Sequence, residues 1–215
     1  MRILVAPDKF RGTATAPEVA SALARGLRSA GHDVSTQPLS DGGEGFLDVF
    51  GGANRSTVVS GPLGDEVEVG WRLSSKTAVI EMAMASGLSL VGGADLNDPI
   101  AASTFGTGEL ISTALDAGAR RIIVGVGGSA STDGGLGALR ALEPIHRLRG
   151  VTMSVACDVR LEFLEAARVF APQKGATPSQ VELLERRLAR LAQMYSDDYG
   201  TEVTAVEGGG AGGGL

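Results

Sequence analysis

The sequence predicts an α/β protein organised around a parallel sheet, and three observations carry that prediction. Short aliphatic and β-branched runs alternate with segments of helical periodicity. Hydrophobic residues make up 43% of the chain but aromatics only 4%, which calls for an aliphatic core. Glycine, at 32 of 215 residues, is in excess and gathers between the periodic segments, chiefly behind strands, where α/β proteins carry their ligand loops.

Taken in order, Ile3 to Ala6 reads as a strand that ends at Pro7. Thr15, Pro17 and Glu18 supply a capping box with proline in the first turn. Val19, Ala20, Leu23, Leu27 and Ala30 follow at helical spacing, and Gly31 takes a C-cap position. A strand near Val34 to Leu39 completes a β-loop-α-β opening. Beyond the Gly61-Pro62-Leu63-Gly64 turn, strands are expected at Glu66 to Leu73 and Thr77 to Met82. Leu110, Ile111, Ala114 and Leu115 give a helix stopped by Gly118. Arg121 to Val126 and Val151 to Ala156 are two more strands. The last helix opens at Thr177-Pro178 with Gln180 in the capping-box position, and places Val181, Leu184, Leu188 and Leu191 on one face.

The bulk numbers exclude several function classes. A net charge of −6 without a basic patch argues against a nucleic-acid partner. An anionic substrate would need locally placed Lys and Arg. No apolar run approaches the roughly 18 residues of a membrane span. The single cysteine, Cys157, excludes a disulfide framework and fits a reducing compartment. Met1-Arg2 leads straight into a strand with no signal-peptide pattern, so a cytoplasmic location is expected.

Four loops carry candidate chemistry. Pro7-Asp8-Lys9-Phe10-Arg11-Gly12 sets two cations and a carboxylate between a strand and a helix start, suited to an anion or to a solvated ion pair. Ser40-Asp41-Gly42-Gly43-Glu44-Gly45 could hold a metal or a hydroxyl, although Asp-Gly is also a common turn. Gly127-Gly128-Ser129-Ala130-Ser131-Thr132-Asp133-Gly134-Gly135 has the glycines that let backbone amides approach phosphate oxygens, without a Walker A pattern. It also fits loosely a dinucleotide fingerprint, Gly125-x-Gly127-x-x-Ala130, with Glu143 as the acidic residue further on. Asp158, at a strand end in Cys157-Asp158-Val159, is placed for magnesium or for proton transfer, and Lys174 stands in the turn Gln173-Lys174-Gly175.

The runs PDKFRG, SDGGEG, GPLG, EMAMASGLSL, STFGTGELI, GVGGSASTDGG, CDV, FAPQKGAT and GAGGGL together, in this order, resemble the bacterial glycerate kinase family, an α/β type without a Walker motif. The resemblance implies two α/β lobes, one Rossmann-like, with the active site in the cleft between them and a lobe change near residues 51–100. It implies ATP and magnesium with D-glycerate, phosphorylated at the 2-hydroxyl. Gly127, Gly128, Ser129 and Gly134 match the stretch expected near nucleotide phosphates. Asp8, Lys9, Arg11, Asp41, Asp158 and Lys174 fall on the polar motif positions. Within that set, charge and reach suggest Asp158, Asp8 or Asp41 for catalysis, Asp158 for the metal, and Lys9, Arg11 or Lys174 for the substrate carboxylate.

Two residues depart from the usual pattern: Lys9 stands where many members carry serine, and Arg11 where they carry lysine. The family also has longer stretches between Leu142 and Gly150 and between Asp158 and Phe170, and continues beyond Leu215, so the chain is expected to be interrupted at those points. A nucleotide- or hydroxy-acid-binding module without activity, and a nicotinamide-dependent oxidoreductase, are the competing readings. The sequence gives no oligomeric state.

Overall fold

In the computed structural model, which describes residues 1–10 and 12–215, the strands divide between two sheets. The first is a parallel pair, β1 (Arg2–Val5) and β2 (Asp33–Thr36), joined by α1 (Ala16–Ser29). Thr15 and Glu18 close the expected capping box at the start of α1. The buried face of α1 is Ala16, Ala20 and Ala24, not the stripe through Leu23, which is 49% exposed. Alanines four residues apart let the helix axis come close to the strands, where Val5 and Val34 complete a small cluster. Leu4, on the other face of β1, is 65% exposed, so this sheet is covered on one side only.

After α2 (Phe46–Val49) the chain enters a five-stranded sheet: β3 (Arg55–Ser60), β4 (Glu66–Ser74) and β5 (Thr77–Glu81) come first. Next are α3 (Ala83–Ser86) and α4 (Phe105–Asp116), then β6 (Arg121–Gly125), α5 (Leu136–Ala141) and β7 (Thr152–Ala156). The order is β3-β4-β5-β6-β7, antiparallel across the first two pairs and parallel across the last two. The change of sheet falls between Thr36 and Arg55. α6 (Ala166–Phe170) and α7 (Pro178–Tyr199) finish the fold.

The main core gathers Val69, Ile80, Met82, Leu110, Ile122 and Val126 between the sheet and α4. A second cluster joins Leu184, Leu188 and Tyr195 of α7 to Phe163 and the alanines of α6. Truncating Leu188 to alanine there costs about 2–5 kcal/mol. Among the described residues no helix is long and apolar enough to cross a membrane.

The backbone passes from α5 to β7 through a single turn at Ile145–Leu148, and from β7 to α6 through a turn at Phe163–Glu165. Hydrogen bonds such as Val151 N–H to Leu148 O, 3.0 Å, close the first link.

Candidate active site

A cleft of about 400 Å³ opens where the loops behind β1 and β2 face the carboxyl ends of β6 and β7. Lys9, Asp41, Gly43 and Glu44 line it from the small sheet; Gly127, Gly128, Ser129 and Asp158 line it from the large one. Leu88, Phe170, Gln173, Lys174 and Gly212 complete the walls. Lys9 donates to Asp41 Oδ1 at 2.9 Å and lies 3.9 Å from Asp8 Oδ1. Burial pushes the Asp41 carboxyl up, but the Lys9 hydrogen bond, the Gly43 amide and the Lys9 charge outweigh it and hold it below the usual aspartate value. Asp158 accepts no hydrogen bond from the described residues and is exposed to the cleft.

The two loops meet backbone to backbone. Gly127 N–H donates to Gly42 O at 3.0 Å, so this amide is committed to the loop junction. A Cβ on Gly42 would stand 2.1 Å from Ala156 O, and one on Gly127 2.5 Å from Gly43 Cα. Gly42 also has φ +89°, which a side chain disfavours. The amides of Gly128 and Ser129 make no hydrogen bond to the described residues and line the cleft, so they are the ones open to a phosphate oxygen.

Glu81, at the end of β5, was not singled out by the sequence. It is 4% exposed and accepts from the Gly45 and Leu47 amides, each at 3.1 Å, tying the 41–45 loop to the large sheet. Burial raises its carboxyl above the ordinary glutamate value despite those two bonds. The one local sign was an acidic residue closing the apolar run Ala78-Val79-Ile80.

Lys174 is 4% exposed and donates to Ser129 Oγ at 2.7 Å and to Ser131 O. Burial lowers its ammonium to about 7, against a partial opposing pull from the Asp133 carboxylate. Asp133 itself accepts from the Thr104 amide and hydroxyl, both at 2.8 Å, and from the Gly135 and Gly137 amides. It thereby pins the starts of α4 and α5 together.

Lys9, Asp41, Asp158, Lys174, Gly127, Gly128 and Ser129 therefore share one cleft. Asp8 does not line it, and its Oδ1 accepts from the Lys9 amide at 2.6 Å. Gly134 stands apart, packed against Phe163, Leu188 and Leu191, with its amide on Gly213 O at 3.0 Å. Arg11 lies outside the described residues. The glycines near the end of the chain, absent from the expected site, contribute Gly212 and Gly213 to the wall. The loop between β6 and α5 runs from Val126 to Gly135, too long for the tight strand-to-helix turn of a dinucleotide fingerprint. Among the described residues, no group of three or more His, Cys, Asp or Glu side chains is poised to hold a metal alone.

The sequence model of the glycerate kinase family matches residues 3–144 and 143–215. The two stretches meet at 143–144, in the link between α5 and β7. Glycerate kinase of Bacillus subtilis (strain 168) is 40% identical over 254 residues, covering 100% of this chain and 66% of that protein. Glycerate 2-kinase of Escherichia coli (strain K12) is 37% identical over 256 residues, with the same coverage of 100% and 66%. The chain thus spans about two thirds of the length of the curated relatives it matches. Among solved structures, a Salmonella typhimurium LT2 protein assigned as glycerate kinase 2 superposes with a TM-score of 0.89 at 37% identity, over 100% of this chain and 68% of that one. The chain belongs to the glycerate kinase family.

Proposed function

We propose that this chain serves the transfer of the γ-phosphoryl group of ATP to the 2-hydroxyl of D-glycerate, in the cytoplasm, giving 2-phosphoglycerate and ADP. The observation that carries the reading is the cleft, where two unengaged backbone amides, a lysine and unshared carboxylate oxygens face one another. The name of the Escherichia coli relative, glycerate 2-kinase, favours the 2-hydroxyl.

Phosphoryl transfer asks the protein mainly to position the reactants and to neutralise charge. The Gly128 and Ser129 amides would cradle the phosphates, and Lys9 would hold the glycerate carboxylate with the donors that Asp41 leaves free. As the hydroxyl oxygen bonds to the γ-phosphorus, the bond from phosphorus to the β–γ bridging oxygen breaks and its electron pair leaves with ADP. Asp41 Oδ2 would accept the hydroxyl proton. Magnesium is commonly held by one or two carboxylates together with substrate phosphates, so the donor set fits it through Asp158, and it would neutralise phosphate charge there.

The test is ADP release by the protein with D-glycerate present, followed by NMR identification of the product. Release that is equal without acceptor, or with unrelated sugars, would overturn the reading. Binding of ATP and glycerate without turnover would instead favour a binding module.

A further inference from the structure

Three segments distant in sequence meet behind the glycine loop: 94–97, 129–131 and 172–175. We propose that Asn97 and Lys174 form a buckle that positions the phosphate-binding amides of this loop, and that Lys174 acts through Ser129 and Ser131 without touching glycerate. The proposal rests on the phosphoryl-transfer reading of the same cleft.

The geometry gives each part a task. Asn97 Nδ2 donates to Lys174 O at 2.8 Å and to Ala130 O at 3.1 Å. Two carbonyls facing one amide nitrogen fix its orientation, and the buried Oδ1 has no partner among the described residues. Lys174 reaches across the same gap to Ser129 Oγ and Ser131 O. Gly175 closes the turn with φ +94°, and a Cβ there would stand 2.2 Å from Ala94 O, so the turn lies hard against the first segment. Lys174 thus holds residues 129 and 131, and Ala130 between them is held by Asn97 at its carbonyl and by Ser86 O at its amide, next to the two open amides.

Backbone bonds to residues 42, 86 and 88 hold one edge of the loop; without the Asn97 and Lys174 bonds its other edge, with glycine at 127, 128, 134 and 135 along the loop, would sample more conformations, and ligand binding would have to order it. A role in substrate binding fits poorly with the burial of Lys174, whose nitrogen already serves two protein oxygens. The charges around it are Asp133 behind the loop and, across the cleft, Lys9, Asp41, Glu44 and Asp158.

The experiment compares wild-type chain with Lys174→Met, Asn97→Asp and Ser129→Ala. Binding of magnesium-ADP and of D-glycerate is titrated separately by calorimetry, and amide exchange is followed over 127–133 and over α4. The expected result is ADP binding weakened at least ~10-fold in Lys174→Met and Asn97→Asp, with glycerate binding within about two-fold of wild type. Exchange should rise over 127–133 and not over α4. Ser129→Ala should add little to Lys174→Met, because both remove the same bond. Weakened glycerate binding with unchanged loop exchange would overturn the proposal and return Lys174 to the substrate. Exchange that rises equally over α4 would also overturn it, since the residues would then only hold the fold together. If wild-type protein binds neither ligand, the kinase reading fails, and loop exchange alone decides whether the buckle exists.

Discussion

Raising the pH from 7 to 9 should stabilise the folded chain through Lys174, and replacing Lys174 by methionine should remove that response. The ammonium falls from 10.5 to about 7 because burial strips its hydration. A lowering of that size corresponds to about 5 kcal/mol of folding free energy. Between the two values the unfolded chain holds the proton and the folded chain does not, so stability rises with pH across this window. The destabilisation is fully present below pH 7 and fades as pH climbs towards 10.5. From pH 7 to 9 the gain is about 2 kcal/mol. Trp71, buried in the main core and the one tryptophan of the chain, reports unfolding by fluorescence. Urea midpoints for wild type should move upward by roughly 1 M over this range, relative to Lys174→Met. Parallel pH curves for the two proteins would show that the amine keeps its proton in the folded state, and would refute the reasoning.

Asp158→Asn should lower kcat by ~10²-fold or more and raise the magnesium concentration needed, with little change in Tm; titrating magnesium at saturating ATP checks this. Gly42→Ala should destabilise by about 3 kcal/mol or abolish folding, since its Cβ meets Ala156 O at 2.1 Å and its backbone is left-handed, as urea unfolding would show. Glu81→Gln should cost about 1–3 kcal/mol, because one buried amide would face an NH₂ group in place of an oxygen. Amide exchange at Gly45 and Leu47 should rise with it.

Local signals carry through to the structure. Thr15 with Glu18 and Thr177 with Gln180 both close capping boxes, because a cap depends on four consecutive residues. β3 has no strand signal of its own because Arg55-Ser56-Thr57 is polar, and its place comes from antiparallel pairing with β4. The loops that gather in the cleft were legible as a set, whereas the work of single atoms was not. Nothing in the spacing of Gly127 says that its amide is used by Gly42, and nothing near Lys174 says that it is buried beneath residues more than 40 positions earlier. Gly134 looked like its neighbours in a phosphate loop, yet packing against α7 decided its place. Those contacts are long-range, and periodicity carries no record of them.

The junction of Gly42, Gly43 and Gly127 has a consequence for how this cleft can change. Its floor is main chain resting on main chain, with no side chain to shorten, lengthen or repack. In the phosphoryl-transfer reading it would act as a fixed gauge between the acceptor side and the phosphate side. Substitutions can reshape the walls at Leu88, Phe170 or Gln173, but they cannot respace the two sides without parting the loops. On that reading, simple mutation would admit acceptors of different breadth but not of different length.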